Sequence, residues 1–416
     1  MTLNLPPSLP SVSVIVVSWN RPDDLRRCLM ALQQQDHPAL ELVLVADAGS
    51  GELAFNAMRA AGWAARLAAN PGGNISVARN IGLGLARGEV VAFIDDDAMA
   101  EPTWARRLAM AFADPAVVAA TGYTLGRNGI SLQWGAAEVD ATGQDHPLTL
   151  TDQTQIHVGT PGRAIKPVGT NCAFRRSALL QVGGFDPAYR FYLEDADIGL
   201  RLAALGPSAV VPGAQVHHGF AASARRRADR VPTDLTQIGA SSMVFLRRHA
   251  NPAAWTDALN RLRAEQATRI ESHVAAGRIS RGEAQHLMDT LERGIDEGGT
   301  RPLEPLAHMD ASAQTFSPLP GIGTRPGRVI AGRIWQAKRL REKAARAASK
   351  GEIVTLILLS PTARPHRHRY TEAGFWEQSG GLFGPSDRSQ PRFRWWGFAT
   401  RVAAECRRIA PFRPVG

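Results

Sequence analysis

Glu89-Val90-Val91-Ala92-Phe93-Ile94-Asp95-Asp96-Asp97 is an apolar run that stops on three consecutive carboxylates. Five apolar residues bounded by charge predict a buried strand of a parallel sheet, because a strand covered on both faces has no solvent side and need not alternate. The acids then fall at the carboxyl edge of the sheet, where open α/β sheets bind ligands. Three adjacent like charges repel one another unless a cation or hydrogen-bond donors offset them. Asp oxygens are hard donors suited to Mg²⁺ or Mn²⁺, and such ions commonly complete their coordination with phosphate oxygens. An isolated acidic triplet is equally well a solvated turn, so the sequence around it decides.

Upstream, Ser11 to Ser18 is a β-branched run that ends at Trp19-Asn20-Arg21-Pro22. Pro22 suits the first turn of a helix, and Leu25, Cys28, Leu29 and Leu32 recur at helical spacing. Leu40 to Ala46 reads as a second strand closing in Asp47, which places another acid at the same sheet edge. A weaker helix over Glu52 to Gly62 and a short strand near Ala65 to Ala69 follow. Asn74 then serves as N-cap of a helix over Ile75 to Ala86 that carries Arg79 and Asn80. Strand and helix alternating in this way predict a right-handed parallel α/β sheet.

Downstream, Pro102 to Phe112 reads as helix and Ala116 to Thr121 as strand, while Gly122 to Pro167 shows no clear period. Order returns at Gly169 to Arg176, and in Tyr192 to Leu202 Glu194 and Asp195 crowd the first turn of a helix. Acids at a helix N-terminus are stabilising by themselves, so a structural role competes with a chemical one there. Asp197 and Arg201 lie four apart and form a simple helical pair. Val210 to Val216 is extended and ends in His217-His218-Gly219.

The 416 residues exceed one ordinary domain, and 44% apolar with 21% charged residues is an ordinary globular composition. The net charge of +10 lies wholly in the rear: residues 1–250 hold 22 Lys and Arg against 22 Asp and Glu, residues 251–416 hold 26 against 16. That divides a neutral front domain, 1–250, from a basic, largely helical rear region, 251–416, with one short strand near 353–359. Ala253 to Ala276 and Arg281 to Gly294 are amphipathic, Thr300 to Pro326 is a Pro-rich connector, and Gly327 to Lys350 reads as a strongly basic helix. His366 and His368, alternating in basic sequence, read as surface residues. Cys28, Cys172 and Cys406 are too few and too scattered for a disulfide framework or a zinc site. With no apolar run near the roughly 18 residues that cross a bilayer, a cytoplasmic protein is the expectation.

Together SVSVIVVSWNRPDDLRRCL, LVLVADAGS, GGNISVARNIGLGLARGEVVAFIDDDA and GTNCAFRRSALLQVGGFDPAYRFYLEDADIGLRL resemble the family 2 glycosyltransferases, inverting enzymes of the GT-A fold. The likeness spans about Val12 to Phe220. It implies a Rossmann-like, mainly parallel sheet flanked by helices, and a sugar moved from a nucleotide diphosphate to a hydroxyl. It further implies that Asp47 reads the base, that Asp95 or Asp96 meets the ribose and that Asp97 holds a divalent metal with His217 or His218, the latter preferred. Asp195, beside Glu194, becomes the catalytic base, and Arg79 and Asn80 become candidates for phosphate and nucleotide. A UDP-sugar is the favoured donor with a dTDP-sugar as alternative, and a glycan or lipid-linked acceptor of bacterial surface polysaccharide synthesis is implied. The basic segment 327–350 suggests peripheral contact with an anionic inner-membrane face. No nucleic acid partner is expected, and a homo-oligomer is left open. A nucleotidyltransferase is disfavoured because Ser18 to Pro22 is no Gly-rich loop, and a non-catalytic glycan- or nucleic-acid-binding protein would leave the spacing of the acids unexplained.

Overall fold

The computed structural model describes residues 9–60, 62–219, 227, 229–310 and 315–416. The front of the chain runs β1 (Val12–Ser18), α1 (Pro22–Leu32), β2 (Leu40–Ala46), α2 (Ala48–Ala60), β3 (Arg66–Ala69), α3 (Ile75–Leu85), β4 (Val90–Asp95), β5 (Ala98–Ala100), α4 (Trp104–Ala111) and β6 (Ala119–Leu125). Five short strands follow, β7 (Leu132–Trp134), β8 (Ala137–Asp140), β9 (Asp145–Pro147), β10 (Gln155–His157) and β11 (Arg163–Ile165). Then come β12 (Asn171–Arg175), α5 (Arg176–Gln181), α6 (Glu194–Leu202) and β13 (Ser208–His218).

The main sheet has the order β10-β13-β6-β12-β4-β1-β2-β3, with β5 paired to β13 and β7 to β6. Pairing is parallel from β4 through β1 and β2 to β3, and antiparallel where β12 enters between β4 and β6. The deciding stretch behaves as its composition dictates. Val90, Ala92 and Ile94 of β4 pack into the core shared with α1 and α4, while Val91 and Phe93 pack into the core shared with α3, α5 and α6. Its last residue, Asp95, stands at the carboxyl end beside Val17 of β1. The stretch without period, 122–167, is not a linker; β8, β9 and β11 form a separate three-stranded sheet within it.

The rear departs from the expected plan. α7 (Thr236–His249), α8 (Trp255–Ala275) and α9 (Arg281–Thr300) form one helical layer around Leu235, Ile270, Leu287 and Leu291. Gly294 lets α9 lie against α7, since a Cβ there would stand 2.1 Å from the Thr236 carbonyl oxygen. A boundary at 250 therefore cuts this layer, whose first helix precedes it. The connector returns across the front domain, where Ser317 N–H donates to Glu41 and Leu319 N–H to the Leu40 carbonyl.

The remainder is a second α/β unit: β14 (Gly327–Arg333), α10 (Ala337–Ala348), β15 (Ile353–Ser360), β16 (Arg367–Tyr370), β17 (Trp376–Gly381) and α11 (Phe398–Ile409). Its sheet order is β14-β15-β17-β16. The single basic helix expected over 327–350 is thus a strand followed by a shorter helix. Leu340, Ala344 and Ala347 of α10 are buried against β15, so that helix has no apolar face left for a bilayer. His366 and His368, read as surface residues, are 2% and 4% exposed. Both are locked into the packing between this sheet and α11: Gln378 donates to His366, and Arg408 to His368.

Candidate active site

β4, the turn after it and β13 deliver two carboxylates and an imidazole to one place. Asp95 ends β4 with its side chain 38% exposed, and Asp97, two residues on, is nearly buried. β13 brings His218, whose Nε2 lies 3.1 Å from Asp97 Oδ1. Asp95, Asp97 and His218 each offer a ligand atom, all within 4.8 Å of one another. The donor set fits a divalent cation. His218 Nδ1–H donates to Gln133 Oε1 of β7 at 2.8 Å, which leaves Nε2 unprotonated and facing a carboxylate oxygen, an arrangement that a shared cation relieves. The two hard oxygens with one imidazole suit Mn²⁺ or Mg²⁺.

The histidine doublet is resolved by strand alternation. His217 points away from this group: its Nε2–H donates to Glu101 Oε1 at 2.8 Å and its ring lies 4.9 Å from that of Trp376. His217 is therefore not a candidate ligand. Asp96 also leaves the cluster. It turns back to β1, accepting from Ser18 Oγ at 2.7 Å and Arg21 Nη1 at 3.0 Å. Burial pushes its carboxyl up to about 6 against Arg21 and Ser18, with Asp97 and Asp95 adding to the rise. Of the two aspartates offered for the ribose, Asp95 is the one left accessible, its side chain 38% exposed against 5% for Asp96.

Arg79 joins the acidic triplet to the second acidic pair. Its Nη1 lies 3.0 Å from Glu194 Oε1, and its Nη2 lies 3.8 Å from Asp95 Oδ1 and 3.1 Å from the Gly169 carbonyl. The guanidinium is 4% exposed and sits over the rings of Phe93 and Phe185. It is thereby committed within the protein rather than offered to a phosphate. Asn80, the neighbouring candidate, clamps the backbone of Phe185 with both arms, at 2.7 and 2.8 Å, and does not face a nucleotide.

Glu194 and Asp195 open α6 after Tyr192 and Leu193, both in the left-handed region at φ 75° and 66°. Two consecutive non-glycine residues in that region are strained backbone of the kind that persists at functional sites. Glu194 is buried under Arg79, and burial raises its carboxyl above the usual range, Asp195 and Asp95 adding to the rise and Arg79 opposing it. Asp195 is partly exposed, and its Oδ2 accepts from Gly169 N–H at 3.0 Å. On the same side, Lys166 binds Asp145 at 2.9 and 3.0 Å and lies 5.9 Å from the ring of the half-exposed Trp134.

Asp47 stands at the end of β2 and accepts from the backbone N–H groups of Asn20 and Ser50 at 2.7 and 3.0 Å. Burial works against the ionised form, but these bonds lower its pKa overall. Asp47 thus shapes the turn after β1, where Asn20 has φ 54° and Trp19 is half-exposed. Gln133 and Glu101, which orient the two histidines, were not singled out from sequence; neither belongs to a motif, and only the packing of β7 and β5 against β6 and β13 brings them there.

Residues 13–183 match the family model "Glycosyl transferase family 2". The chain is 27% identical over 237 residues to the O-antigen biosynthesis protein RfbC of Myxococcus xanthus, covering 54% of this chain and 18% of that protein. It is 40% identical over 94 residues to the N-acetylglucosaminyl-diphospho-decaprenol L-rhamnosyltransferase of Mycobacterium tuberculosis, covering 21% and 30%. It is 34% identical over 159 residues to the uncharacterized glycosyltransferase YibD of Escherichia coli K12, covering 36% and 42%. The chain thus spans less than half the length of these relatives. Among solved structures it is similar to GalNAc-T7 with UDP, GalNAc and Mn²⁺, at 18% identity and a TM-score of 0.46, covering 57% of this chain and 48% of that one. A mannosyltransferase from Pyrobaculum calidifontis overlaps at 19% identity and a TM-score of 0.41, covering 70% and 87%. The likeness to the family 2 glycosyltransferases thus lies in residues 13–183, which supply most of the mixed α/β sheet.

Proposed function

We propose that the chain transfers a sugar from a nucleotide-diphosphate donor to a hydroxyl of a glycan or lipid-linked acceptor, with inversion, in the synthesis of a bacterial surface polysaccharide. The observation that carries this reading is the single guanidinium of Arg79, 3.8 Å from Asp95 and 3.0 Å from Glu194, which joins the acidic triplet to the acidic pair. The polysaccharide context rests on the names of the O-antigen and rhamnosyltransferase relatives.

Asp95, Asp97 and His218 would hold the divalent cation, Mn²⁺ or Mg²⁺. When bound, such an ion neutralises a diphosphate leaving group as a Lewis acid without protonating it. Asp47 and Trp19 would receive the base, and Asp95 the ribose. Asp195 takes the proton of the acceptor hydroxyl as that oxygen forms its bond to the anomeric carbon; a single displacement inverts the centre. Gly169 N–H fixes one oxygen of Asp195, and the buried Arg79–Glu194 pair fixes the helix turn from which it projects. Lys166 feels the charge of Asp195 and lies 5.9 Å from the Trp134 ring, so an acceptor sugar could bond to the one and stack on the other. A UDP-sugar is the favoured donor and a dTDP-sugar the alternative.

Calorimetry with a panel of nucleoside diphosphates, with Mn²⁺ and after chelation, tests the reading. One diphosphate should bind only with the cation and its sugar conjugate should be slowly hydrolysed. Cation-independent binding, or no binding by any of the panel, would overturn it.

A further inference from the structure

The second α/β unit has an edge that the transfer chemistry does not use. β14, β15 and β17 run parallel, so their carboxyl ends lie together. The turn after β14 presents Ile334 and Trp335, 40% and 69% exposed. At the end of β17 stands Phe383, on which Phe393 and Trp395 pack with ring centres 5.6 and 5.1 Å away. Phe393 is 48% and Trp395 78% exposed. The Arg333 guanidinium lies 4.6 Å from the centre of the Phe398 ring at the start of α11, tying the two segments to one edge. A folded protein exposes single apolar side chains freely, but four large ones on two converging segments form a patch that implies a partner.

Charge identifies the partner. Exposed Arg392 and Arg394 alternate with Phe393 and Trp395, and exposed Lys338 and Arg339 follow Trp335 into the first turn of α10. Basic side chains interleaved with aromatic ones suit the headgroup region of a bilayer, where the cation meets phosphate and the ring meets acyl chain. A polyanion in water would take up the arginines but provide no apolar phase for Ile334 or Phe393. We propose that this edge is a membrane foot that docks on an anionic lipid surface. The active site is within reach of it: Arg388, on the segment leading to Phe393, donates to Ser131 Oγ at 2.8 Å, two residues before the Gln133 that orients His218. That the foot serves to meet a lipid-linked acceptor rests on the proposed transfer reaction; the docking itself does not.

Flotation of the full chain with phosphatidylcholine vesicles, with and without phosphatidylglycerol, tests the proposal. The wild type should float with the anionic vesicles and lose binding as salt is raised. Trp335→Ser with Trp395→Ser should weaken that binding about tenfold or more, with the melting temperature and donor hydrolysis unchanged. Arg392→Ala with Arg394→Ala should remove the preference for anionic vesicles. A wild type that stays at the bottom of the gradient, or a double-Trp variant that floats as well as the wild type, would overturn it. So would sedimentation showing that the Trp substitutions dissolve a dimer while neither form meets vesicles, because the edge would then join copies of the chain. Loss of donor hydrolysis with flotation intact would count against the transfer reading alone.

Discussion

Asp195→Asn keeps the shape of the side chain and its bond from Gly169, but an amide takes up no proton. Turnover should fall by about 10²–10⁴-fold while calorimetry still shows donor binding; near-full turnover would move the base elsewhere. The histidine doublet gives a paired prediction. His218→Ala should abolish Mn²⁺-dependent donor binding. His217→Ala should leave it in place yet cost stability, on the order of 1–3 kcal/mol, because Glu101 loses a buried donor. Equal effects on cation affinity would contradict the assignment. Sequence spacing singled out the acids and the doublet from which Asp95, Asp97 and His218 come together. It could not say which way each side chain turns, because that depends on distant partners: Ser18 and Arg21 draw Asp96 aside, Gln133 holds His218, and Phe185 occupies Asn80.

The elements of the front domain were legible because burial and period agree in them. Asn74 caps α3 as its position implied, accepting from Val77 N–H at 3.1 Å, and its amide also donates to the Pro187 carbonyl. α3 in turn sets Arg79, and it lies close on the sheet because residue 82 has no side chain. A Cβ there would stand 2.5 Å from Ile15 Cγ2. Gly82→Ala should therefore destabilise by about 1–3 kcal/mol in chemical unfolding and loosen Arg79 with it; an unchanged midpoint would mean the helix can slide. The segment 327–350 was misread because its charges hide two patterns. Ile330 and Gly332 are buried at a strand period, and only after the turn at Ile334–Gln336 does a helical period begin with Leu340, Ala344 and Ala347.

At the scale of the whole molecule the second unit is built onto the first rather than strung behind it. Gln34 of the segment after α1 donates to Tyr370 and the Gly374 carbonyl and accepts from Trp376 Nε1 at 3.0 Å. A division by net charge could not show this, since the contact is made by neutral side chains and buried ion pairs. The buried histidines make the second unit sensitive to acid. Burial, with Arg401 alongside, lowers the pKa of His366 to about 4 despite its bond to the Gly381 carbonyl, and burial lowers that of His368 as well. Above pH 6.5, the ordinary value, His366 is neutral folded or unfolded and its contribution is complete. As pH falls from there to about 4 the unfolded chain takes a proton that the folded chain refuses. Stability should drop by about 3 kcal/mol over that window and level off below it. Melting temperatures that stay flat between those limits, or a His366→Gln variant with the same slope, would refute this.

One contact closes the molecule late. Arg413 Nη2 reaches Glu101 at 2.5 Å across 312 positions of sequence, with its guanidinium 4.1 Å from the centre of the Trp376 ring. During synthesis Glu101 leaves the ribosome roughly 15–60 s before its cation does, at usual elongation rates. For that interval Glu101 has the His217 ring as its partner but lacks the Arg413 guanidinium. The β5–β13 corner, which carries His217 and His218, gains its last buried charge partner only when almost the whole polypeptide has been made.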